Sequence, residues 1–294
     1  MSWANDSSPK GFILLGFSDK PWLQMPLLVV LLISYTFTIF GNVSIMVVCI
    51  LDPKLHTPMY FFLTNLSILD LCYTTSTVPH MLANICRNKK TISYGGCVAQ
   101  LIIFLALGAT ECLLLAVMSF DRFVAICRPL HYVIIMNRWF CLRMAAFSWL
   151  TGFNNFLCEV LVMIKMSCAD TTFNIAMLSI VGTFYSLVPL SLILISFGFI
   201  VATVLRIRSS EGNKKAFNTC GSHVIVVSLF YGPVIIMYVQ PSVANSQDKN
   251  QLMSLFYSLV IPMLNSFIYT MRNKDMKGAM RRLLGSCHQR TEQT

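Results

Sequence analysis

Seven stretches of this chain are long and apolar enough to cross a bilayer, and that count constrains the fold more than any other feature. They fall near residues 26–50, 58–82, 98–119, 140–160, 178–205, 222–240 and 252–271, each about 20 residues or more, the length an α-helix needs to cross the hydrocarbon core. Backbone N–H and C=O groups meet no water there, so such spans are helical. At 56% apolar and 12% charged residues, the chain carries about half the charge with which a soluble domain covers its surface. The expected fold is an all-α membrane protein: a seven-helix bundle over 26–271, an outer segment 1–25 and an inner tail 272–294. No short apolar core precedes the first span, so no cleaved signal peptide is expected, and the first helix serves as its own signal-anchor.

Lys and Arg set the orientation. With the N-terminus outside, fifteen of the 22 Lys and Arg residues lie on the inner face, and only the loop carrying Arg87, Lys89 and Lys90 runs against the trend. The net charge of +10 then belongs mostly to the inner membrane face and its anionic lipids. No basic run with interleaved aromatics points to nucleic acid. Asn5-Asp6-Ser7 is a glycosylation sequon on the outer segment; the similar triplets at Asn42 and Asn65 fall within spans, out of reach of the transferase. Most of the eleven cysteines lie within spans or on the inner face. Cys97 opens the third span and Cys158 lies where the fourth ends, so a bond between them would tie the outer loop over the bundle. Cys168 is left over, with Cys86 a doubtful partner.

Charged residues inside spans cost several kcal/mol unless paired or hydrated, which makes them the best functional markers here. Asp70 lies in the second span. Glu111 lies in the third, ten residues or about 15 Å deeper than Asp121 at the inner border. Two such acids side by side share a proton or hold a cation; the plainer reading is that each is protonated and bonded to a neighbouring helix. Asn42 and Asn265 are candidates to complete the cluster. Asp121-Arg122, where apolar sequence gives way to polar, reads either as a releasable charge pair or as an arginine snorkelling from a span end.

Gly41-Asn42, Leu55-His56-Thr57-Pro58-Met59-Tyr60-Phe61-Phe62-Leu63, Leu66-Ser67 through Asp70, Met118 to Tyr132, Lys215-Ala216-Phe217-Asn218-Thr219-Cys220 with Ser222-His223, Phe230-Tyr231-Gly232, and Pro262-Met263-Leu264-Asn265 through Tyr269 together resemble the olfactory receptors, the large tetrapod class within the rhodopsin-like G-protein-coupled receptors. The resemblance covers nearly the whole chain. It implies a receptor for small, largely apolar odorants that activates a stimulatory, olfactory-type heterotrimeric G protein and raises cAMP, at the plasma membrane of sensory cilia, with trafficking chaperones as further partners. It implies a switch of Asp121, Arg122, Tyr231, Asn265 and Tyr269, and a sodium-like site at Asp70 and Glu111; no other cofactor is expected. Around these positions an odorant pocket is expected from Phe104, Leu105, Gly108, Ala109 and Cys112; Val181, Gly182 and Tyr185; Val234, Ile235 and Tyr238; and Leu255 and Ser258. Few of these offer hydrogen bonds, which favours a ligand with one or two polar atoms.

Three departures from the family pattern stand out. Asn265-Ser266 replaces Asn-Pro, removing a kink and restoring a backbone donor. Ser196-Phe197 replaces Ser-Tyr, removing a hydroxyl. After Trp149-Leu150-Thr151-Gly152-Phe153-Asn154, the sequence passes at once to Asn155-Phe156-Leu157-Cys158-Glu159, so about twenty loop residues are missing against the usual layout. The fourth helix is expected to end near Phe156, with Glu159 to Thr172 forming a short lid. Asn155 stands in a histidine position, which argues against a metal-assisted odorant site. Beyond the seventh span, Met276, Met280, Leu283 and Leu284 recur at helical spacing opposite most of the basic residues, the pattern of a helix lying on the anionic inner leaflet.

Three other functions compete with that of a working receptor. A transporter would show inverted repeats or matched broken helices, and an intramembrane enzyme a catalytic motif; none of these is seen. A receptor-like chain that folds or signals poorly because of its shortened loop is the nearer alternative.

Overall fold

The structure is a computed structural model, and it describes the backbone of residues 12–13, 21–85, 91–165, 171–206, 210–239 and 255–291. Seven helices form the bundle: α1 (Pro21–Leu51), α2 (Pro58–Ile85), α3 (Tyr94–Cys127), α4 (Arg138–Lys165), α5 (Thr171–Arg206), α6 (Ser210–Val239) and α7 (Ile261–Arg272, entered through a π-helical turn at Phe256–Val260). An eighth helix, α8 (Lys274–Thr291), follows Asn273. Among the described residues, α1, α3 and α5 contain segments apolar and long enough to cross a membrane on length and hydropathy alone. The others carry the polar residues that α2, α4, α6 and α7 turn towards the bundle.

Helix boundaries follow local chemistry. Pro at the first helical position, where the missing N–H costs nothing, opens α1 and α2. Ser93 caps α3 by accepting from the Gly96 N–H at 3.2 Å, and Asn137 caps α4 by accepting from the Phe140 N–H at 2.9 Å. Two short strands absent from the sequence reading, β1 (Phe12–Ile13) and β2 (Thr91–Ile92), pair antiparallel, joining the outer segment to the loop between α2 and α3.

The fourth helix departs from expectation. It does not stop near Phe156 but continues to Lys165, so the first half of the expected lid, from Glu159 to Lys165, is helix. No Gly or Pro lies between Asn154 and Lys165, and Leu, Val, Met and Glu propagate a helix that nothing interrupts. The lost Asn-Pro kink in α7 has a counterpart about two turns earlier: the π-helical turn at Phe256–Val260 ends two residues before Pro262, the kind of irregularity that gathers at functional positions. At Ser266 itself the hydroxyl donates back to the Met263 carbonyl at 2.9 Å.

Part of the apolar face of α8 packs on the bundle: Met276 and Ala279 are fully buried in the main core, with the half-buried Met280 and Leu283 packed beside them. Asn273 starts the helix, accepting from the Asp275 and Met276 N–H groups at 3.0 and 3.3 Å and from the Tyr60 hydroxyl at 3.2 Å. Arg282 then donates to Asp52 of the first inner loop through Nε at 3.1 Å and a terminal nitrogen at 2.5 Å. That guanidinium, aided by the Lys54 backbone N–H, holds the Asp52 carboxyl below its ordinary value.

Candidate functional site: a polar core above an inner-face ion pair

Asp70, Glu111 and Asn265 meet in the interior. α2, α3 and α7 each contribute one of them, and they are 1%, 3% and 1% exposed. Asn265 donates to both oxygens of Asp70, at 3.3 and 3.4 Å, and also lies against Glu111. Glu111 Oε1 and Asn265 Oδ1 are buried with no hydrogen-bond partner among the described residues, an expensive condition. Carboxylate and amide oxygens suit a hard cation or a shared proton, so the residues present fit a sodium ion. Asn42 does not join this cluster. Its amide donates to the Thr38 carbonyl at 3.0 Å and to the Pro262 carbonyl at 3.4 Å, tying α1 to α7 where Gly41 lets the helices approach: a Cβ there would stand 2.5 Å from the Ser266 hydroxyl.

Tyr231, on α6, is 2% exposed. Its hydroxyl lies against the Cys112 thiol of α3 and has no hydrogen-bond partner among the described residues. Towards the inner side, His223 joins three helices. Its Nε2 lies 2.9 Å from the Ser119 hydroxyl and 3.2 Å from the Leu115 carbonyl, and its Nδ1 lies 3.2 Å from the Tyr269 hydroxyl. A carbonyl only accepts, and the Ser119 hydroxyl already donates to Leu115 O at 3.0 Å. The proton is therefore assigned to Nε2, leaving Nδ1 to accept from Tyr269.

Asp121 and Arg122 form a closed ion pair at the inner end of α3. Asp121 is wholly buried, accepting from Arg122 Nε at 3.0 Å and from the Tyr132 hydroxyl at 2.8 Å. Burial and the neighbouring carboxylate push the Tyr132 phenol up, so it remains a donor. The pair is therefore part of a network reaching into the second inner loop, more than a snorkelling arginine.

The expected pocket residues separate into groups. Leu105, Ala109, Val181 and Tyr185 come together with Ala106 and Phe153, and Cys112 faces Tyr231. Phe104 and Gly108 turn instead to α2, where the Tyr73 ring meets Phe104 edge-on at 5.1 Å and its hydroxyl donates to the Phe104 carbonyl at 3.3 Å. Leu255 packs with Leu31, Val78 and Leu259 on the α1–α2 side, away from this group. Ile235 is 47% exposed and not enclosed, while Gly182 is half-buried and Ser258 buried. The side chains of Val234 and Tyr238 lie outside those described, as does Asn5. Cys97 is a half-buried free thiol. Its expected partner Cys158 lies on α4, seven residues before the helix ends, with its side chain outside those described, so the bond is not part of the described structure. Residues the sequence reading missed are Tyr73, Phe153, Ser119 and Tyr132 as network members. For Tyr73 and Ser119 the signal was the aromatic and hydroxyl content of α2 and α3, for Tyr132 its place at the end of the Met118 to Tyr132 motif, and for Phe153 on α4 there was none beyond its apolar character.

A seven-helix membrane bundle with buried acids at its centre and a closed Asp–Arg pair at its inner end has the anatomy of a seven-transmembrane receptor. Residues 41–269 match the family model of the 7 transmembrane receptor (rhodopsin family). Relatives similar to it include putative olfactory receptor 2B3 of Homo sapiens, 67% identical, with 97% of each chain covered. Olfactory receptor 2B2 of Homo sapiens is 58% identical over 97% of this chain and 85% of its own, and olfactory receptor 2B6 of Mus musculus is 56% identical over 97% of each. The chain belongs to the olfactory receptors of the rhodopsin family and is a multi-pass membrane receptor, not an enzyme. Those alignments run over 305 positions, although 97% of this chain is about 285 residues; about 20 positions of the relatives have no counterpart here, the scale of one long outer loop.

Proposed function

We propose that this chain binds small, mostly apolar odorants beside the α3–α4–α5 group of Leu105, Ala109, Phe153, Val181 and Tyr185, and so opens its inner face to a stimulatory, olfactory-type G protein that raises cAMP. The observation that carries this is the buried hydroxyl of Tyr231, whose polar neighbour among the described residues is the weakly bonding Cys112 thiol. A ligand's polar atom would be a stronger partner, and this hydroxyl stands at the head of a run of polar groups that descends through Glu111, Asn265 and Asp70 to Tyr269, His223 and Ser119. That run is a spatial continuity between pocket and switch; coupling along it is what the experiment measures. Asp70, Glu111 and Asn265 would hold a sodium ion, which would supply the positive charge that two buried acids lack. Plasma-membrane and ciliary localisation, dependence on trafficking chaperones, glycosylation at Asn5 and a Cys97–Cys158 bond belong to the same proposal.

The test is a chemically diverse odorant panel applied to cells expressing the receptor with chaperones and an olfactory G protein, read as cAMP and normalised to surface staining. A responding odorant with one polar atom should lose at least tenfold in potency on Tyr231→Phe, about the 1.4 kcal/mol expected of one well-placed hydrogen bond. Absence of any odorant-dependent cAMP at confirmed surface expression would refute the reading. The shortfall of about 20 positions against the relatives favours a second reading, that the chain folds poorly and is retained inside the cell; surface staining separates the two.

A further inference from the structure

Two helices begin on the rim of one apolar groove at the inner end of the bundle. Thr57 and Pro58, at the start of α2, and Asn137 and Arg138, at the start of α4, all border the same cavity of about 850 Å³. Its lining is mostly apolar and includes Phe61 and Leu142. Helix starts carry partial positive charge and N–H groups with no helical acceptor. At α4 the Asn137 side chain takes up one such group, that of Phe140. Arg138 adds a full charge to the same rim; it is exposed and has no carboxylate partner among the described residues. No Asp or Glu borders the groove, and the Asp52 carboxylate of the first inner loop is taken by Arg282.

Charge on the rim and hydrocarbon on the floor define an amphiphile as the occupant. Val133, which borders the groove, is 80% exposed, with its neighbour Ile134 at 71% and Trp139 at 72%. In a chain that crosses the membrane, such a surface beside a basic rim faces acyl chains at the headgroup boundary. A soluble phosphate would leave the floor unfilled, and a neutral lipid would leave the rim unused. We propose that this groove binds an anionic glycerophospholipid of the inner leaflet. Its phosphate sits at Arg138 between the starts of α2 and α4, and one acyl chain runs along Phe61 and Leu142.

The experiment uses the full-length receptor in nanodiscs of phosphatidylcholine containing a small fraction of phosphatidylserine with a photoreactive acyl chain, and maps crosslinks by mass spectrometry. Labelling is expected on the peptides that begin α2 and α4, and should be several-fold weaker with an equal fraction of photoreactive phosphatidylcholine. Arg138→Gln should reduce labelling about fivefold, equivalent to the ~1 kcal/mol that one basic residue contributes near an anionic surface. Arg143→Gln, on α4 but outside the groove, should leave it unchanged. Leu142→Trp, which fills the floor and keeps every charge, should also reduce it. Equal labelling by the two wild-type probes, a full signal from Arg138→Gln, or displacement of the serine lipid by cholesterol at equal mole fraction would each overturn the proposal. The wild-type comparison decides the matter even if a variant fails to fold.

Discussion

Gly152 of α4 offers the sharpest test of how the bundle packs. A Cβ at this position would stand 2.7 Å from the backbone oxygen of Ala106 on α3 and would overlap the Thr110 hydroxyl. Neither neighbour yields easily. Ala106 and Thr110 are wholly buried, the Ala106 contact is to backbone, and the Thr110 hydroxyl already donates to Ala106 O at 2.8 Å. Gly152→Ala must therefore separate α3 from α4 or break that hydrogen bond. Overpacking of this kind costs about 1–3 kcal/mol and the buried bond about 1 kcal/mol, while replacing a helical Gly by Ala returns up to about 1 kcal/mol. The net expectation is a loss of about 1–3 kcal/mol, equivalent to a fall in Tm of roughly 3–10 °C for a chain of this size. Gly198→Ala is the matched control: a Cβ there meets nothing within 4 Å, so only the helix-propensity gain remains and Tm should rise by about 2–4 °C. Both are read by thermal unfolding of purified receptor at one fixed scan rate, since unfolding of such a protein is irreversible. A Gly152→Ala receptor that melts at or above the wild type, or two variants that shift in the same direction, would refute the proposed α3–α4 contact.

Arg122→Ala should abolish agonist-driven cAMP at matched surface expression, because the guanidinium is the cation of the closed inner-face pair and no neighbouring group replaces its five donors; normal signalling would sink that assignment. Asp70→Asn should remove any sodium dependence of ligand-free signalling, since one of the two acids no longer carries charge; unchanged salt dependence would detach the ion from this cluster. The Asp52–Arg282 tie holds a carboxyl below its ordinary value of 3.8, so its contribution is complete above that value and lost only as pH falls below it. Hydrogen exchange across α8 should accordingly show no change in protection between about pH 6 and 8. Inserting a family-typical loop of about 20 residues between Asn154 and Asn155 should raise both surface expression and odorant response; a restored chain no better on either count would show that the shortened form is tolerated.

Seven apolar runs, the charge asymmetry of the loops and the receptor motifs made the bundle legible from sequence, because lipid leaves a spanning segment almost no choice but helix. The polar centre was legible for the same reason: Asp70, Glu111 and Asn265 are too costly to leave facing lipid, and α2, α3 and α7 bring all three inward. What periodicity could not supply was which neighbour each inward face meets. Phe104 and Leu105 are adjacent on an apolar helix, yet one meets Tyr73 on α2 and the other the α4–α5 side, a division set by rotation of α3 that its nearly uniform hydrophobicity does not record. Leu255 packs with Leu31 and Val78 just before a π-helical turn, where residue spacing that assumes a regular helix no longer fixes which neighbour is met.

The fourth helix shows how a strong local signal can mislead when it is judged by length. Counting about 30 Å of hydrocarbon at 1.5 Å per residue placed its end near Phe156; a helix, however, stops where its sequence stops it, not where the bilayer does. With no Gly or Pro from Asn155 to Lys165, α4 continues to Lys165. The packing at Gly152 and the Trp149 indole bond to Asn65 at 3.1 Å hold the part of α4 that precedes Asn155. The inner half of the receptor keeps its closed Asp121–Arg122 pair and its buried polar core of Asp70, Glu111 and Asn265, because these rest on contacts among α2, α3 and α7 that the outer end of α4 does not supply.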